Sequence, residues 1–526
     1  MLAEGLEPAP PAGRTTTVTT TAILDDEGLA AARGPLTVVV REHADPERAD
    51  TFLAEGVARG WTRTLVVEPA PADPDRAGGA HRVTQTVAYH LEIPGFTWLF
   101  GWAIRREARR LPHPGTPPWW APPDPLDLRA GRAISALAIL AMMAGFLGTL
   151  VTQTIAFAGK EFGVGTSGQG DALAVMRVDA AIAVAVVALA DRIGRRPILI
   201  YGAIGAILST ASGALAPSMA GFVVLQVPAR GLTAGVSIMI AVVAAEEVPA
   251  GARAWTASVL AMIAALGAGV CVATLPLADL GRRSWRYSFL AALVFIPLVV
   301  RVAGTLQESR RFDREERLER TGVKERPTLA GHLPRLVLLA VGAALTALFL
   351  TPAAQLQNTF LANERGFSAA RITLFSLVTG TPGGIGVVMG GRIADRRGRR
   401  GVASIGVAAG CSLFLLSFFT RGWPMWVAAT VAGFAGGATV PALSVYGPEL
   451  FPTALRGRAN GVISATGRAG SVAGLVLAGR LADRLGGLGP ALAVLGVGPL
   501  LLCVLIVRAY PETASRELED INPEDR

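Results

Sequence analysis

The chain has 526 residues, of which 51% are hydrophobic and only 17% charged, with a mean hydropathy of +0.46. Soluble domains carry about 25% charge, and the net charge of +9 resides in short basic clusters between apolar runs, a pattern of membrane loops and not of a nucleic-acid face. Cys271, Cys411 and Cys503 all fall inside apolar runs, with no second thiol at metal-ligand or redox spacing, so a disulfide framework and a zinc ribbon are excluded. The composition is that of an integral membrane protein.

Residues 1–111 read as a small soluble α+β domain. Thr15–Leu24, Pro35–Glu42, Trp61–Glu68 and His81–Ile93 are rich in Thr and Val and are predicted strands. Asp45–Trp61 and Phe96–Leu111 carry helical spacing. No basic, apolar and cleavage-site succession of a signal peptide is found at the N-terminus. Residues 112–130 form a linker: seven prolines between Pro112 and Pro125 rule out a helix interior, and the Trp119-Trp120 pair suits the headgroup region.

Apolar segments of about 20 residues then recur, the length that crosses a bilayer core of ~30 Å. They are predicted at 133–158, 170–190, 198–215, 219–244, 255–278, 285–303, 334–356, 370–391, 401–420, 424–446, 460–480 and 489–508. The charged stretch 306–333 divides them into halves at 131–305 and 334–510, followed by a tail at 511–526. Lys and Arg are concentrated in the even-numbered gaps, which places both termini in the cytoplasm.

Two loop patterns repeat at nearly one offset. Asp191-Arg192-Ile193-Gly194-Arg195-Arg196 follows segment 2, and Asp395-Arg396-Arg397-Gly398-Arg399-Arg400 follows segment 8, 204 residues later. Glu246 with Arg253 follows segment 4, and Glu449 with Arg456 follows segment 10, with the two acids 203 residues apart. Two unrelated patterns at one spacing imply homologous six-helix halves. The fold class is therefore an all-α membrane protein, twelve transmembrane helices in two pseudo-symmetric halves, with the soluble α+β domain in front.

On these motifs residues 130–515 resemble the major facilitator superfamily. The run from Gly391 through Asp395, Arg396, Gly398, Arg399 and Arg400 is similar to its signature loop; the first copy has Val187 in place of the leading glycine. Pro448–Gly457, Glu308–Arg311 and Pro511–Thr513 resemble the sugar-porter and metabolite–proton-symporter branches. Segment 1 lacks the acid that many of those symporters carry, and segment 5 lacks the glycine-proline pattern of drug antiporters. The resemblance implies alternating access, with segments 1, 4, 7 and 10 lining a central cavity.

An aspartate at a helix C-terminus needs basic partners. Asp191 and Asp395, with Arg192, Gly194, Arg195, Arg196, Gly391, Arg396, Gly398, Arg399 and Arg400, are expected to form cytoplasmic latches or to act as topology determinants only. The resemblance makes Glu246, Arg253, Glu449 and Arg456 a second set of gate charges. Within the bilayer ionisable groups are costly. Asp179 lies ~18 Å from Asp191 along segment 2 and Arg177 ~21 Å, and their spacing prevents mutual contact. Asp179 is either a proton site or a permanent partner of an arginine, with Arg230 of segment 4 the matching cation. Gln226, Arg230, Thr233 and Ser237 form one helical stripe, expected to face the cavity. Thr149, Thr152 and Gln153 of segment 1, Thr351, Gln355, Gln357 and Asn358 of segment 7, and Thr439 and Tyr446 of segment 10 are the further cavity candidates. Arg468 of segment 11 is expected to be buried and structural.

The five histidines show no ligand spacing and no Walker loop exists, so neither an enzyme, a metal site nor a cofactor is expected. The expected function is proton-coupled symport of a small polar organic solute, a sugar or metabolite, by a monomer in the plasma membrane. The alternatives are a drug or metabolite efflux antiporter, and a transporter-like sensor with a ligand-binding N-terminal domain.

Overall fold

The computed structural model describes residues 15–34, 41–45, 47–55, 58–70, 81–91, 97–111, 122, 124, 126–249, 252–308, 330–452 and 455–513. Most of the proline-rich linker, of the central loop and of the C-terminal tail therefore lies outside the described residues.

Five strands, β1 (Thr16–Leu24), β2 (Arg41–Ala44), β3 (Thr51–Glu55), β4 (Ala58–Pro69) and β5 (His81–Leu91), form one antiparallel sheet in the order β1-β5-β4-β3-β2. Alternation drives it: Val18, Trp61, Val87 and Tyr89 point to one face, where Ile104 and Ala108 of helix α2 (Thr97–Ala108) cover them. Further along the same face, Leu29 and Ala32 of helix α1 (Asp26–Arg33) cover Leu24, Phe52, Leu65 and Val83. The fully buried Arg63 is paired with Glu42 at 2.7 Å and donates to the Ala32 and Gly34 carbonyls. The helix expected over Asp45–Trp61 is instead the short strand β3, entered through Asp50 at φ 55°. The hairpin partner β4 overrides the local spacing. Helix α1, which has no counterpart among the predicted elements, starts where the Asp25 carboxylate accepts the Gly28 N–H.

Among the described residues, twelve helices long and apolar enough to span a bilayer follow, and we number them as segments 1–12: Arg129–Phe162, Thr166–Ala190, Arg195–Leu215, Met219–Glu247, Arg253–Leu280, Arg286–Ala303, Leu333–Asn363, Ala369–Ala394, Arg399–Phe419, Trp423–Ser444, Arg456–Leu485 and Leu488–Ala509. Each half is held by helix pairs whose glycines let backbones touch. A methyl group at Gly145 of segment 1 would overlap the backbone at Ala264 of segment 5, and one at Gly267 of segment 5 would overlap Met142. Gly470 and Gly474 of segment 11 lie in the same way on Ala344 and Leu348 of segment 7, and Gly386 and Gly390 of segment 8 on Phe434 and Ala438 of segment 10. Segment 2 is interrupted by a 3-10 turn at Met176–Val178, and segment 7 breaks at Leu356.

Candidate functional site

Among the described residues, the larger contacts between the two halves lie toward one end. We call the end bearing the repeated loops the basic end and the opposite one the far end. The main contacts across the halves are the start of segment 2 against segment 11, the end of segment 7 against segment 1, and segment 5 with its closing 3-10 turn against segment 8. Asn358 donates to Gln153 Oε1 at 2.7 Å and Thr359 Oγ1 to Gln169 Oε1 at 2.6 Å. Asp279 closes the row: its carboxylate accepts the Ala369 and Ala370 N–H groups at 2.7 and 2.9 Å, at the N-terminus of segment 8. A carboxylate is favoured there by the helix dipole and by orphan N–H groups. None of Gln169, Thr359 and Asp279 carried a sequence signal.

At the basic end the repeated loops make two copies of one network. Gly194 and Gly398 adopt φ 103° and 95°, a region that favours glycine. A Cβ at Gly194 would lie 2.8 Å from Glu308 Oε2, and at Gly398 2.8 Å from Glu512 Oε2. Glu308 accepts the Arg195 and Arg196 N–H groups at 2.9 and 3.2 Å; Glu512 accepts those of Arg399 and Arg400 at 2.9 and 3.2 Å. Arg196 donates to the Ala303 carbonyl and Arg400 to that of Val507. Arg195 pairs with Glu246, and Arg399 with Glu449. Arg129 pairs with Glu247 at 2.8 Å, and Arg456 donates to the Phe451 carbonyl at 3.0 Å. Every one of these contacts stays within one half. The side chains of Asp191 and Asp395 lie outside the described ones. Arg192 and Arg396 are exposed, Gly391 packs on Pro441, and Arg253 lines a cavity of about 600 Å³ between segments 1, 4 and 5 without an ion-pair partner among the described residues. Glu308 and Glu512 were absent from the expected gate set, yet they stand 204 residues apart, the offset of the loops themselves.

Near mid-depth Arg230 Nε donates to Asp179 Oδ2 at 3.1 Å, both side chains 14% exposed. Arg177, in the 3-10 turn of segment 2, senses the charges of Arg230, Asp179 and Arg468. Arg468 is exposed and not packed away as expected, because its face of segment 11 turns toward the other half.

The rest of the expected cavity wall is divided. Gln226 is buried and donates to the Thr210 carbonyl of segment 3, so the stripe on segment 4 does not face one space. Thr233 is likewise buried and bonds back to the Ala229 carbonyl, as Thr439 does to that of Ala435. Ser237 is exposed and lines the cavity of segments 1, 4 and 5. Thr351 shares a hydrogen bond with Ser471 at 2.9 Å. Gln357 and Thr439 line a cavity of about 410 Å³ inside the second half. Thr149, Thr152 and Gln355 are half-buried. Tyr446 is no cavity residue: it is fully buried at the basic end, edge-on to Tyr510 with ring centroids 5.0 Å apart. Its hydroxyl has no hydrogen-bond partner among the described residues, and burial, with Glu512 nearby, pushes its phenol up to about 12.

Residues 339–525 match the family model described as Major Facilitator Superfamily. No curated protein matches the chain. Among solved structures the membrane part is similar to the inward-open xylose transporter XylE from E. coli (TM-score 0.61, 17% identity, 74% of this chain and 98% of that one). The nucleoside transporter NupG is similar at a TM-score of 0.60 and 12% identity, over 72% of this chain and 100% of that one. An inward-facing bacterial homologue of the human lysosomal transporter Spinster is similar at 0.57 and 15%, over 76% and 98%. Residues 339–525 thus match the model of the Major Facilitator Superfamily, and the membrane part as a whole has the fold of these solved transporters.

Proposed function

We propose that the chain is a secondary active transporter that carries a small polar organic solute across the plasma membrane by alternating access, as a monomeric proton symporter with both termini in the cytoplasm. The excess of Lys and Arg at the basic end supports that orientation. The structure is then an inward-facing state: the halves are joined at the outer, far end and separated at the inner one. The solved likeness described as a D-xylose–proton symporter fits this reading.

The observation that carries it is the Asp179–Arg230 pair at mid-depth. A carboxylate that loses its arginine in a low-dielectric space gains proton affinity. Solute or motion that draws Arg230 away therefore loads Asp179 with a proton, and re-formation of the pair releases it. In proteoliposomes screened with labelled solutes, an acid-outside gradient should drive accumulation, and Asp179→Asn should abolish accumulation while preserving solute exchange. Full pH-driven accumulation by the Asn variant would remove Asp179 as the proton site.

A further inference from the structure

Three arginines and one aspartate meet at mid-depth, and the charge does not balance. Arg177 lies 11 residues, ~16 Å, from the far end of segment 2; Arg230 lies equally far into segment 4; Arg468 lies 12 residues, ~18 Å, into segment 11 from its basic end. The antiparallel segments 2 and 11 meet where a methyl at Gly170 would sit 2.6 Å from the Leu475 carbonyl oxygen. Seven residues, two helical turns, further toward the basic end on each strand of that contact stand Arg177 and Arg468. They occupy the faces that meet, on opposite halves, where the halves begin to part.

Asp179 answers one of the three cations, Arg230. Arg177 keeps a buried Nε without a hydrogen bond, and Arg468 pairs with no acid among the described residues. The next acid of segment 2, Asp171, lies ~12 Å beyond Asp179 toward the far end. In the open state water hydrates the two surplus charges. When the basic end closes that water is lost, and two like charges on opposite halves are pressed together in low dielectric. A neutral solute leaves both uncompensated. A doubly charged oxyanion compensates both and offers the oxygens that guanidinium forks bind in pairs.

Resting on the transport reading above, we propose that the solute is a small organic dianion, a dicarboxylate or a phosphate ester, held between Arg177 of the first half and Arg468 of the second. The empty carrier then closes poorly and the loaded one readily, so exchange outpaces net flux.

The test uses the full chain in proteoliposomes with labelled succinate, glycerol 3-phosphate and xylose, together with thermal melts of the detergent-purified protein in each. Expected is saturable uptake of one anion, which also raises Tm, with no competition from xylose; which anion moves separates the carboxylate from the phosphate source. Arg468→Gln and Arg177→Gln should each raise KM about ten- to a hundredfold, with partial recovery in Arg468→Lys and an unchanged melting curve without solute. Xylose uptake indifferent to Arg468→Gln would overturn the anion site and leave the transport reading standing. No uptake and no Tm shift with any probe would overturn both. An Arg468→Gln protein that melts lower without solute and keeps its KM would make the arginine structural and also refute the proposal.

Discussion

Replacing Asp279 with Asn removes one charge and one acceptor from the contact that ties segment 5 to segment 8 at the far end. Asn keeps a single acceptor oxygen, so one of two charge-assisted bonds is lost together with the attraction to the helix dipole. Such a bond contributes about 1.5–3 kcal/mol when buried, but Asp279 is exposed, and the dipole term at a surface is only about 0.3–1 kcal/mol. We take about 1–1.5 kcal/mol for the change, which is five- to twelvefold in an equilibrium constant. The contact exists only while the far end is closed, so the whole effect falls on the balance between the two access states. Spin labels at Leu280 and Trp423, both strongly exposed and on opposite halves, report the far-end separation once the three free cysteines are replaced. Asp279→Asn should enlarge the long-distance population about five- to twelvefold, with an unchanged melting temperature. An unchanged distance distribution would mean that Gln153–Asn358 and Gln169–Thr359 alone set the far-end closure, and would refute the reasoning.

Gly398→Ala should lower Tm and surface expression at a cost of about 1–2 kcal/mol, since it forces φ 95° on a residue with a Cβ and crowds Glu512; a wild-type melting curve would count against it. Tyr446→Phe should leave Tm equal or a few degrees higher, because the buried hydroxyl has no partner among the described residues and its desolvation costs about 1–3 kcal/mol; a clear fall in Tm would reveal a bond to that oxygen. The raised Tyr446 and Tyr510 phenols favour the neutral form in the fold, so their contribution is complete below the unfolded value of 10.0 and lost as pH rises through about 12. Melts between pH 9 and 12 of wild type and the double Phe variant should therefore diverge; parallel curves would contradict this. Removal of residues 1–126 should leave uptake measurable, and a well-folded truncation without uptake would make the N-terminal domain part of the transport cycle.

The twelve segments were legible because length and apolarity decide a membrane helix almost alone, and the repeated loops because two motifs shared one spacing. The strands β1, β4 and β5 announced themselves by alternation. Thr51–Glu55 did not: a five-residue strand is defined by its hairpin partner, and its own spacing reads equally as helix. Side-chain direction was the larger loss. Gln226 and Arg230 are one turn apart, yet one meets segment 3 and the other segment 2, because a helix inside a bundle has a neighbour on nearly every side. Tyr446 read as polar and is sealed against Tyr510, while Arg468 read as packed and stands open. The far-end contacts rest on single pairings between halves, such as Thr359 with Gln169, that no periodicity encodes.

The glycine seams between segments 1 and 5, 7 and 11, and 8 and 10 bear on how force travels. Side chains that interdigitate can change rotamer and let helices slide; two backbones in contact have nothing to rearrange. A seam of this kind is stiff in shear, so thermal bending is driven out of each half and into the single cleft between them. Each half then behaves as a lever. A methyl wedged into the seam of segments 8 and 10 would act as a shim, tilting one arm and registering as a changed gap at the opposite mouth, with every charged residue left in place.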